Sequence, residues 1–402
     1  MAMFNRTDET KVLRDPIHGY IHVQYQVIWD CLNAREFQRL HRIHQLGGVF
    51  QVYHTAEHSR FAHSLGVYEI CRRMVYENDD INQALTESEK IQVMCAGLLH
   101  DLGHGPYSHF FESIQDISHE KRTVQLILDK NTEIHQALIK ENKELPQQIA
   151  CIIEHRHPKT MLNQMISSQL DADRMDYLLR DAYETGTSYG TFDLERILRT
   201  MRVKDSLLCM KESGMHSVED YIMARYHMYW QVYLHPDAKS YELLINSFFK
   251  RYTEVKDRYP VSVFESFSSH LTNEQFLELD DYRMMVGFQD AMKSEDEILQ
   301  LFAKAIVDRH LFEWTINPDE HQINTIKKYL KEQNRSEAYF YYEDISSNKT
   351  YFPYDEKNAI IWIRDSHQNL KPLSECSEIV KALLRMESHT EQRIYYWKRK
   401  KD

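Results

Sequence analysis

Ten consecutive residues, His100-Asp101-Leu102-Gly103-His104-Gly105-Pro106-Tyr107-Ser108-His109, place three imidazoles and a carboxylate directly behind an apolar helical run. The run has its own start signal. Thr86 and Glu89 have the spacing of a capping box, and Ile91, Val93, Met94, Leu98 and Leu99 follow with helical periodicity. A helix that ends in adjacent His100 and Asp101 offers one imidazole nitrogen and one carboxylate oxygen at nearly the same place. That donor pair suits a divalent cation such as Mn, Fe, Zn, Ni or Mg, and it needs further ligands from other segments. His63, in Arg60-Phe61-Ala62-His63-Ser64-Leu65-Gly66-Val67, is one candidate, and Asp173, in Leu170-Asp171-Ala172-Asp173-Arg174-Met175-Asp176-Tyr177, is another. Each of these residues alone reads most simply as a satisfied core or capping group; the four in this order do not.

The remaining composition narrows the class. With 402 residues the chain can bury a large core without disulfide or metal staples. Its 49 basic and 61 acidic side chains leave a net charge of −12, which disfavours extended nucleic-acid contact but leaves room for a local basic pocket. The six cysteines are scattered without a CxxC pair, as expected of reduced thiols. The first residues lack a signal-peptide pattern and no run is long and apolar enough to span a bilayer, so a soluble cytoplasmic protein with no membrane association is expected.

Glycine and proline are sparse, and helical periodicity dominates. Apolar residues recur at helical spacing over Ile28–Leu46, and further helices are expected at 60–78, 118–130, 146–156, 171–184, 216–235, 237–256 and 293–307. Short strands fit Tyr20–Gln24, Thr200–Val203 and Leu207–Lys211. After about residue 310 the composition changes, with aromatic and β-branched stretches at Ala338–Tyr342 and Ala359–Arg364 and a helix at 376–387. The expected fold is mostly α: a helical core with a few short strands over residues 1–310, and a smaller mixed α+β region over 311–402.

The order His … His-Asp … Asp is the ligand signature of the HD phosphohydrolase superfamily, and the flanking motifs narrow it. Asp15-Pro16-Ile17-His18-Gly19, Phe37-Gln38-Arg39-Leu40, Gln45-Leu46-Gly47-Gly48, the stretch from His58 to Val67 and the His100–His109 run all resemble deoxynucleoside triphosphate (dNTP) triphosphohydrolases. The chain is similar to the branch of the human-type SAM-and-HD-domain enzyme, in the bacterial form without the SAM domain, over about residues 11–250. The resemblance implies that His63, His100, Asp101 and Asp173 hold one metal, that a second Mg accompanies the nucleotide, and that water attacks the α-phosphorus. Deoxynucleoside and inorganic triphosphate would be the products. His109 matches the family's general acid, with Glu112 three residues on to orient its ring. His104 would face the phosphates, and the pair His119-Glu120 would lie beside the α-phosphate. Gly103 and Gly105 would let the backbone approach a ligand closely.

A triphosphate needs cations around it. The resemblance assigns Arg60, Arg174 and Arg225 to that task, with Tyr177 supplying a hydroxyl; relatives carry Lys where Arg174 stands. Gln45 and Asp181 match residues that hold the sugar 3′-hydroxyl, and Leu46 and Tyr233 match a steric wall against a 2′-hydroxyl. Many relatives are homotetramers, dimers of dimers activated by a nucleotide. Lys11, Val12 and Gln38 match parts of that regulatory pocket, while Asn33 and His41 replace the Asp and Arg that read guanine. Arg196 and Lys211 could form an adjacent phosphate site. Control of dNTP pools by a nucleotide-activated homo-oligomer is therefore expected. The alternatives are another HD-superfamily phosphohydrolase (a phosphodiesterase, nuclease, nucleotidase or alarmone hydrolase) or a nucleotide-sensing oligomeric regulator.

Overall fold

The computed structural model describes residues 4–108, 111–112, 117–265, 271–347, 354–356, 359–386 and 390–398. The chain is mostly α-helical with a few short strands, and it divides into two compact units: 1–45, 57–228 and 353–386 form the first, 46–56, 229–352 and 387–402 the second. Residues 311–402, which composition sets apart as one region, are thus shared between the two units. Among the described residues no helix is long and apolar enough to cross a membrane.

The first unit is built on three helices. Arg60–Glu77 lies between Glu87–Leu99 and Ala172–Thr185 and touches both. Its central place shows in its burial: Phe61, Leu65, Val67, Ile70, Met74 and Val75 are buried all round the helix rather than along one stripe. Glu87–Leu99 begins as expected. Thr86 accepts from the Glu89 amide at 3.3 Å, and the Glu89 carboxylate accepts from the Thr86 amide at 2.8 Å. Removing half of this reciprocal cap by Thr86→Ala is expected to cost about 1 kcal/mol; a chemical denaturation midpoint equal to wild type would show that the cap is idle.

The expected helix over Ile28–Leu46 is instead broken. A helix at Gln26–Asn33 stops at Ala34 (φ −65°, ψ 143°), a short helix follows at Arg35–Gln38, and a 3-10 turn closes the segment at Arg39–Arg42. The apolar period survives the break because Leu32, Phe37 and Leu40 all still reach the core. Ahead of this segment, Arg6–Asp15 pairs antiparallel with Gly19–Tyr25 in a hairpin whose first strand, mostly exposed, carries no alternation that announces it. The hairpin Met201–Lys204/Leu207–Lys211 is as expected, and Trp362–Arg364 adds to it in parallel, Met210 opposite Ile363.

In the second unit Pro236–Val255 packs on Glu297–Val307, and Phe248, Phe249, Tyr252, Phe264 and Phe288 interlock edge to face. A three-stranded antiparallel sheet joins Glu313–Ile316, Thr390–Tyr396 and Tyr341–Ser347. The aromatic stretch Ala338–Tyr342 divides: Ser336 caps a short helix over Glu337–Phe340, and the strand begins only at Tyr341. The C-terminal helix spans Glu378–Arg385 in the first unit. The expected helix at 216–235 runs as Met215–Met228 and then widens to a π turn at Tyr229–Tyr233, where the two units divide.

Candidate metal centre

Three helices of the first unit converge their ends on one point. His63 comes from the first turn of Arg60–Glu77, His100 and Asp101 from the end of Glu87–Leu99, and Asp173 from the first turn of Ala172–Thr185. One donor atom from each of His63, His100 and Asp101 lies within 4.8 Å of the others. Asp173 Oδ1 stands 3.1 Å from His63 Nε2 and 3.8 Å from His100 Nε2, and Asp101 Oδ1 lies 3.2 Å from His100 Nε2. The helix Ala172–Thr185 starts where it does because Asp171, fully buried, accepts from the Arg174 amide at 2.7 Å and leaves the next carboxylate, Asp173, pointing to the cluster.

Both rings are held so that Nε2 faces this point. His100 Nδ1 donates to the Gly97 carbonyl at 2.9 Å, and His63 Nδ1 donates to Asp176 Oδ2 at 2.8 Å. A neutral imidazole with Nδ1–H engaged in this way presents the Nε2 lone pair. His100 Nε2 is buried and makes no hydrogen bond, despite the carboxylates nearby. The cluster therefore calls for positive charge. Burial opposes charging the His63 ring, but Asp173 and Asp176 outweigh it and raise its pKa to about 10. Asp101 is held far below the usual carboxylate range: burial opposes this, and His100, Arg60 and His104 overcome it. Two fixed imidazole donors, two carboxylates and an unpartnered buried nitrogen fit a divalent metal.

Asp176 was not anticipated from the sequence, and it is the hub behind the cluster. Besides His63 it accepts from His18 Nε2 at 2.7 Å and from Arg180 through two bonds of 2.9 Å. Arg180 in turn donates to Asp15 at 2.8 Å, and the other Asp15 oxygen accepts from the amides of Ile17 and His18. The Asp15 and His18 side chains of the Asp15–Gly19 motif therefore act as a buried brace. Gly66 makes room for it, since a Cβ there would lie 1.8 Å from Asp176 Oδ1.

Beside the metal cluster stands a second group. The rings of His104 and His119 stack at 3.9 Å and 17°. Glu112 Oε1 accepts from His119 Nδ1 at 2.9 Å and lies 3.5 Å from His104 Nδ1, while Glu120 is 3.4 Å from His119 Nε2. Burial and then Arg60 push the His104 pKa well down; burial opposes protonation of His119 as well, but Glu112 foremost reverses that. His104 Nε2 lies 3.3 Å from Asp101 Oδ1. Glu112, expected to orient His109, is thus engaged with His119; His109 itself lies outside the described residues. Gly103 and Gly105 do not open towards a ligand. A Cβ on Gly103 would meet the His119 carbonyl at 2.1 Å, and one on Gly105 the Phe111 ring at 2.2 Å, so the chain's own packing uses the space.

The sequence matches the HD domain over residues 60–181 and the HD associated region over 192–401. The chain belongs to the HD-domain family. It is 42% identical to the Bacillus subtilis protein YwfO, across 97% of this chain and 93% of that one. It is 28% identical to the Dictyostelium discoideum homolog of the deoxynucleoside triphosphate triphosphohydrolase SAMHD1, over 81% of this chain and 63% of that one. A crystal structure of a phosphohydrolase from Bacteroides thetaiotaomicron superposes with a TM-score of 0.86 at 27% identity, covering 97% of this chain and all (100%) of that one. The protein is an HD-domain phosphohydrolase, and His100-Asp101 lies within the matched domain.

Around the HD site the other expected residues separate. Arg60 is buried, with one guanidinium nitrogen on Asp101 and two on Ser108 Oγ at 3.2 and 2.7 Å. It clamps a stretch whose Tyr107 (φ 54°) and Ser108 (φ 51°) are left-handed without being glycine. Arg174 is tied to the Asp171 carboxylate and the Ser168 carbonyl, and Arg225 donates to Gln169 at 2.9 Å. The Tyr177 ring lies 6.4 Å from that of His63. Asp181 accepts from His58 at 2.7 Å, and the Gln45 amide donates to the His58 carbonyl at 3.0 Å. Leu46 and Tyr233 belong to the second unit.

The expected regulatory residues are mostly committed to local contacts. Lys11 pairs with Asp8 at 2.8 Å and Glu9 at 3.2 Å, and Val12 beside it is exposed. Asn33 and Gln38 donate to the carbonyls of Trp29 and Leu32, both at 2.8 Å. His41 stacks on Phe61 at 3.6 Å, and burial lowers its pKa. Arg196 donates to the Ser213 carbonyl at 2.7 Å and lines a cavity of about 310 Å³ with Arg73 and Arg199; Lys211 is exposed at the end of its strand.

Proposed function

We propose that this HD-domain protein hydrolyses dNTPs to deoxynucleoside and inorganic triphosphate with a divalent metal, and that it does so as a nucleotide-activated homo-oligomer. The observation that carries the reading is the pairing of the His63/His100/Asp101/Asp173 cluster with the stacked His104–His119 group through the shared carboxylate of Asp101. The first can hold a cation, and the second presents two stacked imidazoles beside it. The likeness to SAMHD1 proteins adds weight to the dNTP as substrate. The nucleotide activation, the oligomer and a second Mg rest on the resemblance alone.

In this reading His63, His100, Asp101 and Asp173 hold the ion, which supplies polarisation of a phosphoryl oxygen and a more acidic water. Arg60, with His100, keeps Asp101 ionised, and it holds Ser108 in its left-handed turn. His104 faces the phosphates, and His119, whose protonation Glu112 favours, lies with Glu120 beside the α-phosphate. His109 is assigned to the proton that the 5′-oxygen needs as it leaves. Tyr177, beside His63, supplies a hydroxyl to the triphosphate, and Gln45 and Asp181 bind the sugar 3′-hydroxyl.

The test is a product analysis with Mn²⁺ or Mg²⁺ and each dNTP, singly and in mixtures. Triphosphate and deoxynucleoside are expected in equal amounts, with higher rates and a larger native mass in mixtures. Release of pyrophosphate or orthophosphate instead would move the protein to another HD phosphohydrolase class.

A further inference from the structure

His58 has no role in the reading above, yet it joins the two residues assigned there to the sugar. Its ring is buried, and Nε2 lies 2.7 Å from Oδ1 of the equally buried Asp181. Its backbone carbonyl accepts the Gln45 amide at 3.0 Å, and the neighbouring residues His44 and Ser59 form an antiparallel bridge. A two-residue backbone ladder thus fixes Gln45 against His58, while the His58 ring fixes Asp181, 123 residues further along the chain. Two atoms of this group, Gln45 Oε1 and His58 Nδ1, are buried and make no hydrogen bond. Buried polar atoms of a purely structural group are normally satisfied, so this pair leaves capacity for a polar ligand.

We infer that His58 is the positioning residue of the sugar subsite, setting the distance and orientation between the Gln45 side chain and the Asp181 carboxylate that together read a 3′-hydroxyl. The inference rests on the proposed dNTP reading. His58 Nε2–H donates to the Asp181 carboxylate oxygen, so the ring holds Asp181 in one rotamer. A carboxylate free to rotate would bind a hydroxyl less selectively. Discrimination at a hydroxyl depends on acceptors already fixed where the hydroxyl arrives.

The experiment compares kcat/KM for a dNTP with that for the matching 2′,3′-dideoxynucleoside triphosphate, in wild type, His58→Gln and His58→Asn. Glutamine carries its amide nitrogen at the reach of Nε2 and can keep the bond to Asp181; asparagine places it at the reach of Nδ1 and cannot. Both keep the backbone carbonyl that holds Gln45. Wild type and His58→Gln are expected to share a preference for the dNTP, and His58→Asn to lose roughly tenfold or more of it, with metal content and melting temperature equal in the two variants. If His58→Asn keeps the wild-type preference, His58 does not position the subsite and the inference fails alone. A wild type that hydrolyses dNTPs without preferring them over the dideoxy form overturns the assignment of Gln45 and Asp181, and the inference with it. A wild type that releases no triphosphate from any dNTP overturns the proposed function itself.

Discussion

Replacing His63 or Asp173 by alanine is expected to reduce both bound metal and turnover to background while the fold persists. The two residues approach the cluster from different helices and face each other there, His63 Nε2 and Asp173 Oδ1 standing 3.1 Å apart. Without His63 the site keeps one imidazole; without Asp173 it keeps one carboxylate, Asp101, which Arg60 already engages. A three-donor remnant with a charge pair next to it binds a divalent ion weakly. The structural cost of the two changes differs. Asp173 is partly exposed in the first turn of its helix, so Asp173→Ala should melt near wild type, whereas His63→Ala removes one buried partner from Asp176 and should cost about 1–3 kcal/mol. Metal content by elemental analysis and circular dichroism of the same samples decide the matter. Full metal occupancy and turnover in either variant would mean that the ligand set is assigned wrongly.

The part of the site visible in the sequence is the part carried by short-range pattern. His100-Asp101 could be read because two donors are adjacent at the end of a capped helix. His63 and Asp173 could be read because, with His100-Asp101, they complete the order His … His-Asp … Asp within flanks that resemble a known family. Helix positions were legible wherever a cap stood before an apolar period, as at Thr86. They failed at Ala34, where a period continues through a break in the backbone, and at Arg6–Asp15, where the more covered side of the strand carries Lys11 and Asp15 beside Leu13 and so shows no apolar alternation. The brace behind the metal was not legible at all. Asp176 and Arg180 stand at i, i+4 on a helix and look like a solvated pair, and what buries them is a partner, Asp15, 165 residues from Arg180. Gly66 gives no local signal either, because the reason for it is a carboxylate on another helix. His58 shares that difficulty: its bond to Asp181 spans 123 residues.

Asp176→Asn is expected to injure stability and metal affinity together, and the size of both effects follows from what the carboxylate does. Four charge-assisted bonds converge on it, from His18, His63 and the Nε and Nη2 of Arg180, in a place with no exposure to water. Burial works against its ionisation, yet Arg180, His18 and His63 hold its pKa far below the usual range, so it carries a full charge. An amide of the same shape cannot accept on both sides, and its NH₂ would face donors. Removing one side of a buried ionic group costs about 3–5 kcal/mol, here moderated because Asp15 still pairs with Arg180 at 2.8 Å. The ring of His63 would also lose the acceptor that fixes its tautomer, which typically lowers metal affinity about 10–100-fold. Asp15→Asn provides the contrast: it strips a charge from Arg180 and loosens the turn at Ile17 and His18, but leaves His63 bonded to Asp176. It should therefore destabilise without a comparable loss of metal. Chelator competition and urea denaturation on the two variants separate the roles. Equal metal affinity in Asp176→Asn and wild type would show that Asp176 is a purely structural brace and that His63 is oriented by its helix alone.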